Sequence, residues 1–147
     1  MKKNIVYLLV VGAMILGACE GPLQVDPRQS VDAEQLITDA NSAAVAMTGM
    51  YDALQRTGVY SDALPYQIDL MSDNQIHIGT FTSLREMGDN DVLADNVEIN
   101  SIWNDMYNSI YRANLIISIL PTVEDPALDA NKSQFEGEAL FVRALMY

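Results

Sequence analysis

From Val97 to Leu120 the apolar residues Ile99, Ile102, Trp103, Met106, Ile110, Ala113, Ile117 and Leu120 recur at three- and four-residue steps. That rhythm is one face of an α-helix. At 1.5 Å per residue it is on the order of 35 Å long, and Pro121 stops it. A helix with an apolar stripe on one side must bury that stripe against other elements, so the remaining chain is read for helices that could cover it.

Three further helical segments are expected. The first runs from about Asp39 to Arg56, with Ala43, Met47, Met50, Tyr51 and Leu54 on its apolar side, Thr38 or Asp39 capping its start and Gly58 closing its end. A shorter one spans Asp62 or Ala63 to Met71, with Pro65 in its first turn. The last begins near Asp129 or Ala130, after a linker from Pro121 to Asn131 with a turn at Asp125-Pro126, and carries Phe135, Ala139, Val142, Leu145 and Met146. It is still running at Tyr147, and the expectation is that the protein continues beyond. Between the second and third helices, Ser72 to Asn96 is rich in Asp, Asn, Gly and Thr and reads as a long irregular insertion; Ile76-His77-Ile78 and Thr80-Phe81-Thr82 are its only hints of extended structure. Loops of that length in compact proteins are functional or disordered. The fold class is all-α, in antiparallel helix pairs.

The N-terminus carries a different signal. Lys2 and Lys3 precede an apolar run from Ile5 to Ile15, and Leu16-Gly17-Ala18-Cys19 follows, holding the chain's only cysteine. This is the pattern of an export signal, residues 1–18, with a lipid-bearing cysteine just after the cut. A membrane-spanning helix needs about 20 apolar residues, and Ile5 to Ala18 falls short, so the expected attachment is through lipid on Cys19. With Cys19 so used, no disulfide and no thiolate metal cluster can form within one chain. Residues 19–31 contain Pro22 and Pro27 and no apolar period, and read as an extended tether; residues 32–147 form the body. The 20 acidic against 8 basic side chains, a net charge of −12, argue against nucleic acid and against electrostatic adhesion to anionic lipid.

The segment Gly137-Glu138-Ala139-Leu140-Phe141-Val142-Arg143-Ala144-Leu145-Met146-Tyr147, taken together with pieces upstream of it, resembles the SusD/RagB family of outer-membrane nutrient-binding lipoproteins. The run from Gly137 to Tyr147 is similar to the family's Gly-Glu-Ala-x-Phe-x-Arg-Ala-x-x-Tyr segment. Trp103, Tyr107, Ile110, Arg112, Ala113 and Asn114 resemble its preceding helix, Gly49 to Leu54 its first, and Ser72-Asp73-Asn74 the Ser-Asp pair after the second. The resemblance implies a tetratricopeptide-like helical scaffold, of which this chain is the N-terminal portion. It also implies a receptor without catalytic activity that binds oligosaccharide, or peptide in some branches, and hands it to a SusC-like TonB-dependent transporter. No cofactor is implied. An acidic run after the cysteine, common to surface-exported lipoproteins of this group, is reduced here to Glu20, which leaves the leaflet open.

Each candidate site residue also has a plainer role open to it. Glu138 and Arg143 are five apart, and fit packing against neighbouring helices better than catalysis. His77, the only histidine, has Asp73, Asp62 and Asp69 nearby, yet no nucleophile-elbow pattern surrounds a serine. Asp89-Asn90-Asp91 is an incomplete calcium loop. Trp103, Tyr107 and Tyr111 at four-residue steps could stack on sugar, but such a stripe is expected in the core. The insertion is the better place for ligand contacts, with Asp73, Asn74 and Phe81 as candidates offering hydrogen-bonding groups and a ring on a loop held by helices.

Overall fold

A computed structural model describes residues 35–147. The signal segment, Cys19 and the tether lie outside the described residues. Five α-helices are present: α1 (Ala40–Leu54), α2 (Ile68–Met71), α3 (Thr82–Gly88), α4 (Val97–Ile119) and α5 (Pro126–Met146), with no strand among the described residues. None of the described helices is long and apolar enough to cross a membrane.

The core is a three-helix packing. Ala43, Met47 and Met50 of α1, Ile110, Ala113 and Ile116 of α4, and Leu128, Ala139, Val142 and Met146 of α5 bury against one another, joined by Ile37, Val59, Leu120 and Val123. The short connection Leu120–Asp125 turns α5 back along α4. Its Asp125 carboxylate begins two helices at once: Oδ1 accepts the Ala127 N–H at the start of α5, and Oδ2 accepts the Ala40 N–H at the start of α1, 2.9 and 2.8 Å away. The last helix therefore starts at Pro126, earlier than expected, because Asp125 is its N-cap and Pro126 occupies the first turn, where a missing N–H costs nothing. At α1, Asp39 accepts from the Ser42 N–H, and Ser42 answers from its side chain. Those bonds hold the Asp39 carboxyl below its ordinary pKa, so the cap is intact at neutral pH and is lost as pH falls through that lowered value.

Two polar links lock α1 to its neighbours. The Arg112 guanidinium of α4 donates to the Gly49 carbonyl. Tyr51 was expected on the apolar face; it is 40% exposed, and its hydroxyl instead donates to Glu138 of α5 at 2.9 Å. Partial burial, followed by the hydrogen bond to Glu138 and its negative charge, raises the Tyr51 phenol above its usual value, which keeps it protonated as a donor. Arg143 of α5 reaches Asn114 of α4. Glu138 and Arg143 thus each grip a different neighbouring helix.

Gly58 does not close α1. No described glycine has positive φ, and Gly58 is buried in a wide, π-type turn, Thr57–Ser61, pressed against α4. A Cβ at Gly58 would lie 2.3 Å from the Ser101 carbonyl oxygen and 2.9 Å from the Asp105 Cβ. Asp105 holds the turn there by accepting the Gly58 N–H and the Arg56 guanidinium, each at 3.1 Å. The expected second helix is a further wide turn, Ala63–Gln67, that tightens into α2. Pro65 cannot donate to an α-helical ladder, and the Ile68 N–H reaches back to the Ala63 carbonyl across the wider ring.

The insertion is more ordered than its composition implied. It contains α3, whose Met87 is fully buried; the hinted strands do not form. A polar hub ties α3 to the start of α4. Asn96 caps α4 by accepting the Glu98 and Ile99 N–H groups, while its amide donates to the Ser83 carbonyl at 3.0 Å and to Glu86 at 2.7 Å. Glu98 in turn accepts from Ser83 of α3 and from the buried Gln67.

The aromatic stripe also departs from expectation. Trp103, Tyr107 and Tyr111 are 63, 46 and 59% exposed, not core. The fully buried positions of α4, Ser109, Ile110, Ala113 and Ile116, all lie in its C-terminal half, where α1 and α5 enclose it. Periodicity gave the face and not how far along it the neighbours reach.

Gly58→Ala is expected to destabilise by about 3 kcal/mol or more, because the obstacle is backbone. Gly137→Ala, mid-helix with open space around the new methyl group, is expected to stabilise by about 0.5–1 kcal/mol; urea unfolding of both variants checks the contrast. Asn96→Ala removes a cap and two donated bonds, one to a carboxylate, and should cost about 3 kcal/mol. Hydrogen exchange should then accelerate across 82–88 before it does in α5.

Candidate functional site

The turn after α2 is shaped by Asp69. Its carbonyl accepts the Asn74 and Gln75 N–H groups at 3.1 and 3.3 Å, and its carboxylate accepts the Gln75 amide at 3.2 Å. This reversal places Asp73 at φ 61°, in the left-handed region that non-glycine residues seldom occupy. A matching reversal follows α3, where Asn90 has φ 53° and the Asp91 N–H donates to the Glu86 carbonyl.

Between these two reversals lies a cavity of about 330 Å³ lined by Asp73, Gln75, Ile76, His77, Arg85, Gly88 and Asp89. A second hollow of about 400 Å³, lined by Thr82, Arg85, Glu86, Asp89 and Asp91, shares Arg85 and Asp89 with it. The exposed Phe81 ring stands beside the imidazole of His77, centroids 6.4 Å apart and tilted by 46°. The Tyr66 hydroxyl pairs with His77 Nδ1 at 2.9 Å.

Arg85 is distinctive. The other basic side chains of the described region are engaged: Arg56 with Asp105, Arg112 with Gly49 and Asp52, Lys132 with Asp129, and Arg143 with Asn114. Arg85 makes no such bond with another described residue, and its guanidinium, a fork of donors, stands at the join of the two hollows. Carboxylate acceptors, amide groups, an arginine and a ring next to open space are the groups that bind vicinal hydroxyls and stack on the apolar face of a sugar.

Of the expected contact residues, Asp73 lines the cavity and Phe81 borders it through His77. The Asn74 amide donates to Ser72 Oγ at 2.8 Å instead. Asp62 and Asp69, considered beside His77, are taken up by Gln67 and Gln75. Among the described residues no group of three or more His, Cys, Asp or Glu side chains could hold a metal ion. Sequence reasoning missed Arg85 and Gln75. The available signal for Arg85 was the Leu84–Met87 spacing, which marks a short helix and turns Arg85 away from its buried side.

A smaller, mostly apolar groove of about 180 Å³ lies between α1 and α4, lined by Leu36, Ala46, Gly49, Arg112, Leu115 and Ile116. It lacks the clustered polar groups of the loop cavity.

Comparison with known proteins gives these features a family. Two curated proteins of Formosa agariphila are similar to this chain: SusD-like protein P38, 29% identical, and SusD-like protein P25, 26% identical. Each alignment takes in all of this chain and 29% of the relative, so the chain spans less than a third of the length of the curated relatives it matches. No solved structure matches it. The model of the SusD-like_3 family, described as starch-binding associating with outer membrane, matches residues 22–147, and the all-α fold agrees: the chain belongs to this SusD-like family of binding proteins.

Proposed function

We propose that this chain is the N-terminal helical part of a lipid-anchored receptor of the outer membrane, which captures an oligosaccharide and passes it to a SusC-like TonB-dependent transporter. The observation that carries the reading is the loop cavity, where Asp73, Arg85 and Asp89 gather uncommitted hydrogen-bonding groups near the exposed ring of Phe81. The family description, starch-binding associating with outer membrane, supports the cargo class. The membrane link is the Cys19 lipid, with 1–18 removed as signal, 19–31 as tether and 32–147 as the docking body facing the exterior. The protein binds and releases its cargo without catalysis. Binding rests on stacking and hydrogen bonds, and the energy for uptake comes from the transporter.

Isothermal titration of the full-length protein with maltoheptaose and with pools of other glycans and of peptides tests the cargo. Glycan binding with no heat from peptide is expected; peptide binding alone would move the protein to the peptide-binding branch. Phe81→Ala and Arg85→Ala should each weaken glycan binding about tenfold, roughly 1.4 kcal/mol, with unchanged circular dichroism. Unaltered affinity in both would contradict the site. Cys19→Ala should shift the protein from the membrane fraction to the soluble fraction of its host, since acyl chains supply the attachment at about 0.8 kcal/mol per buried methylene; continued membrane retention would contradict the anchor.

A further inference from the structure

We infer that His77 is a ligand-binding residue, whose Nε2 takes a saccharide hydroxyl once the turn 78–80 lifts from it; the inference rests on the glycan-receptor reading above. Three observations meet at this imidazole. Its Nδ1 is committed to the Tyr66 hydroxyl at 2.9 Å, which leaves Nε2 as the ring's free nitrogen. Its Nε2 is shielded from solvent yet has no hydrogen-bond partner, a state that native proteins avoid unless something fills the demand. And His77 lines the same cavity as Asp73, Arg85 and Asp89.

What covers Nε2 is Gly79. A Cβ added there would lie 2.7 Å from Nε2 and 2.8 Å from Cε1, so only a glycine lets the backbone rest against the ring edge. That contact offers an aliphatic surface where the nitrogen needs a polar partner. The segment that makes it is weakly held on its own account: Ile76, Ile78 and Phe81 are 85, 96 and 68% exposed, and no helix or strand runs from Gln75 to Phe81. Lifting the segment sacrifices little burial and frees Nε2. A hydroxyl suits either tautomer, because it accepts from Nε2–H when Tyr66 donates to Nδ1 and donates to a bare Nε2 when Nδ1–H points at Tyr66. The ligand class is therefore a polyol, and a saccharide ring stacked on Phe81 brings hydroxyls to the neighbouring imidazole edge.

His77 is the chain's single histidine, so in this region its imidazole can be followed without ambiguity once a His77 variant of the full-length protein assigns its signals. The test is long-range nitrogen–proton NMR of the full-length protein titrated with maltoheptaose, or with whichever glycan the titrations above show to bind. The expected result is a change in the Nε2 resonance that saturates with the binding isotherm while Nδ1 keeps its Tyr66 pairing. His77→Phe, which keeps an aromatic ring at the position and removes both nitrogens, should weaken binding about five- to tenfold, the worth of one hydrogen bond. An Nε2 signal indifferent to bound glycan would overturn the role of His77 and leave the receptor reading standing, whether or not the variant folds. Failure of every glycan to bind the wild-type protein would overturn both.

Discussion

The Asn96 side chain is the interaction on which the candidate site depends. One amide caps α4 with its oxygen and holds α3 with its nitrogen, through the Ser83 carbonyl and the Glu86 carboxylate. A buried amide with all its partners in place costs little; the same amide with one partner removed leaves unsatisfied groups at 5% exposure. Because α3 carries Arg85 and the reversal that follows it carries Asp89, the cavity's geometry is set at the first turn of the longest helix. The three-helix core and the segment 76–81, which has no helix or strand, are separate parts of the fold.

That division separates what was legible in the sequence from what was not. Helices α1 and α4 could be read to within a residue or two, because long apolar periods need no knowledge of the neighbours. The start of α5 was missed although Asp125-Pro126 is itself a start signal, since the pair also reads as a turn and no large apolar residue follows until Leu128. Gly58 was assigned a helix-closing role by its position; its real constraint, the carbonyl of Ser101 across the packing, comes from a residue more than forty positions away. Helix α3 is short and polar, and owes its existence to the hub at Asn96. For the site, the composition of the insertion points to ligand contacts there, and Asp73 and Phe81 fall at the cavity. Arg85 and His77 became meaningful only when folding showed which polar groups had partners and which had none.

The exposed Trp103, with the Tyr107 ring 4.6 Å away, marks a boundary of the same kind. Its helix is covered by α1 and α5 only along its C-terminal half, and sequence period is blind to that difference. The chain belongs to the SusD-like family and spans under a third of the length of the curated relatives it matches.

A crystal structure of the full-length protein with bound maltoheptaose, or with whichever glycan it takes up, tests the account most directly. Sugar density against the Phe81 ring, with hydroxyls within hydrogen-bonding reach of Arg85 and Asp73, is the predicted result. Well-occupied sugar bound only elsewhere, with the cavity between α2 and α3 left to solvent, would contradict it.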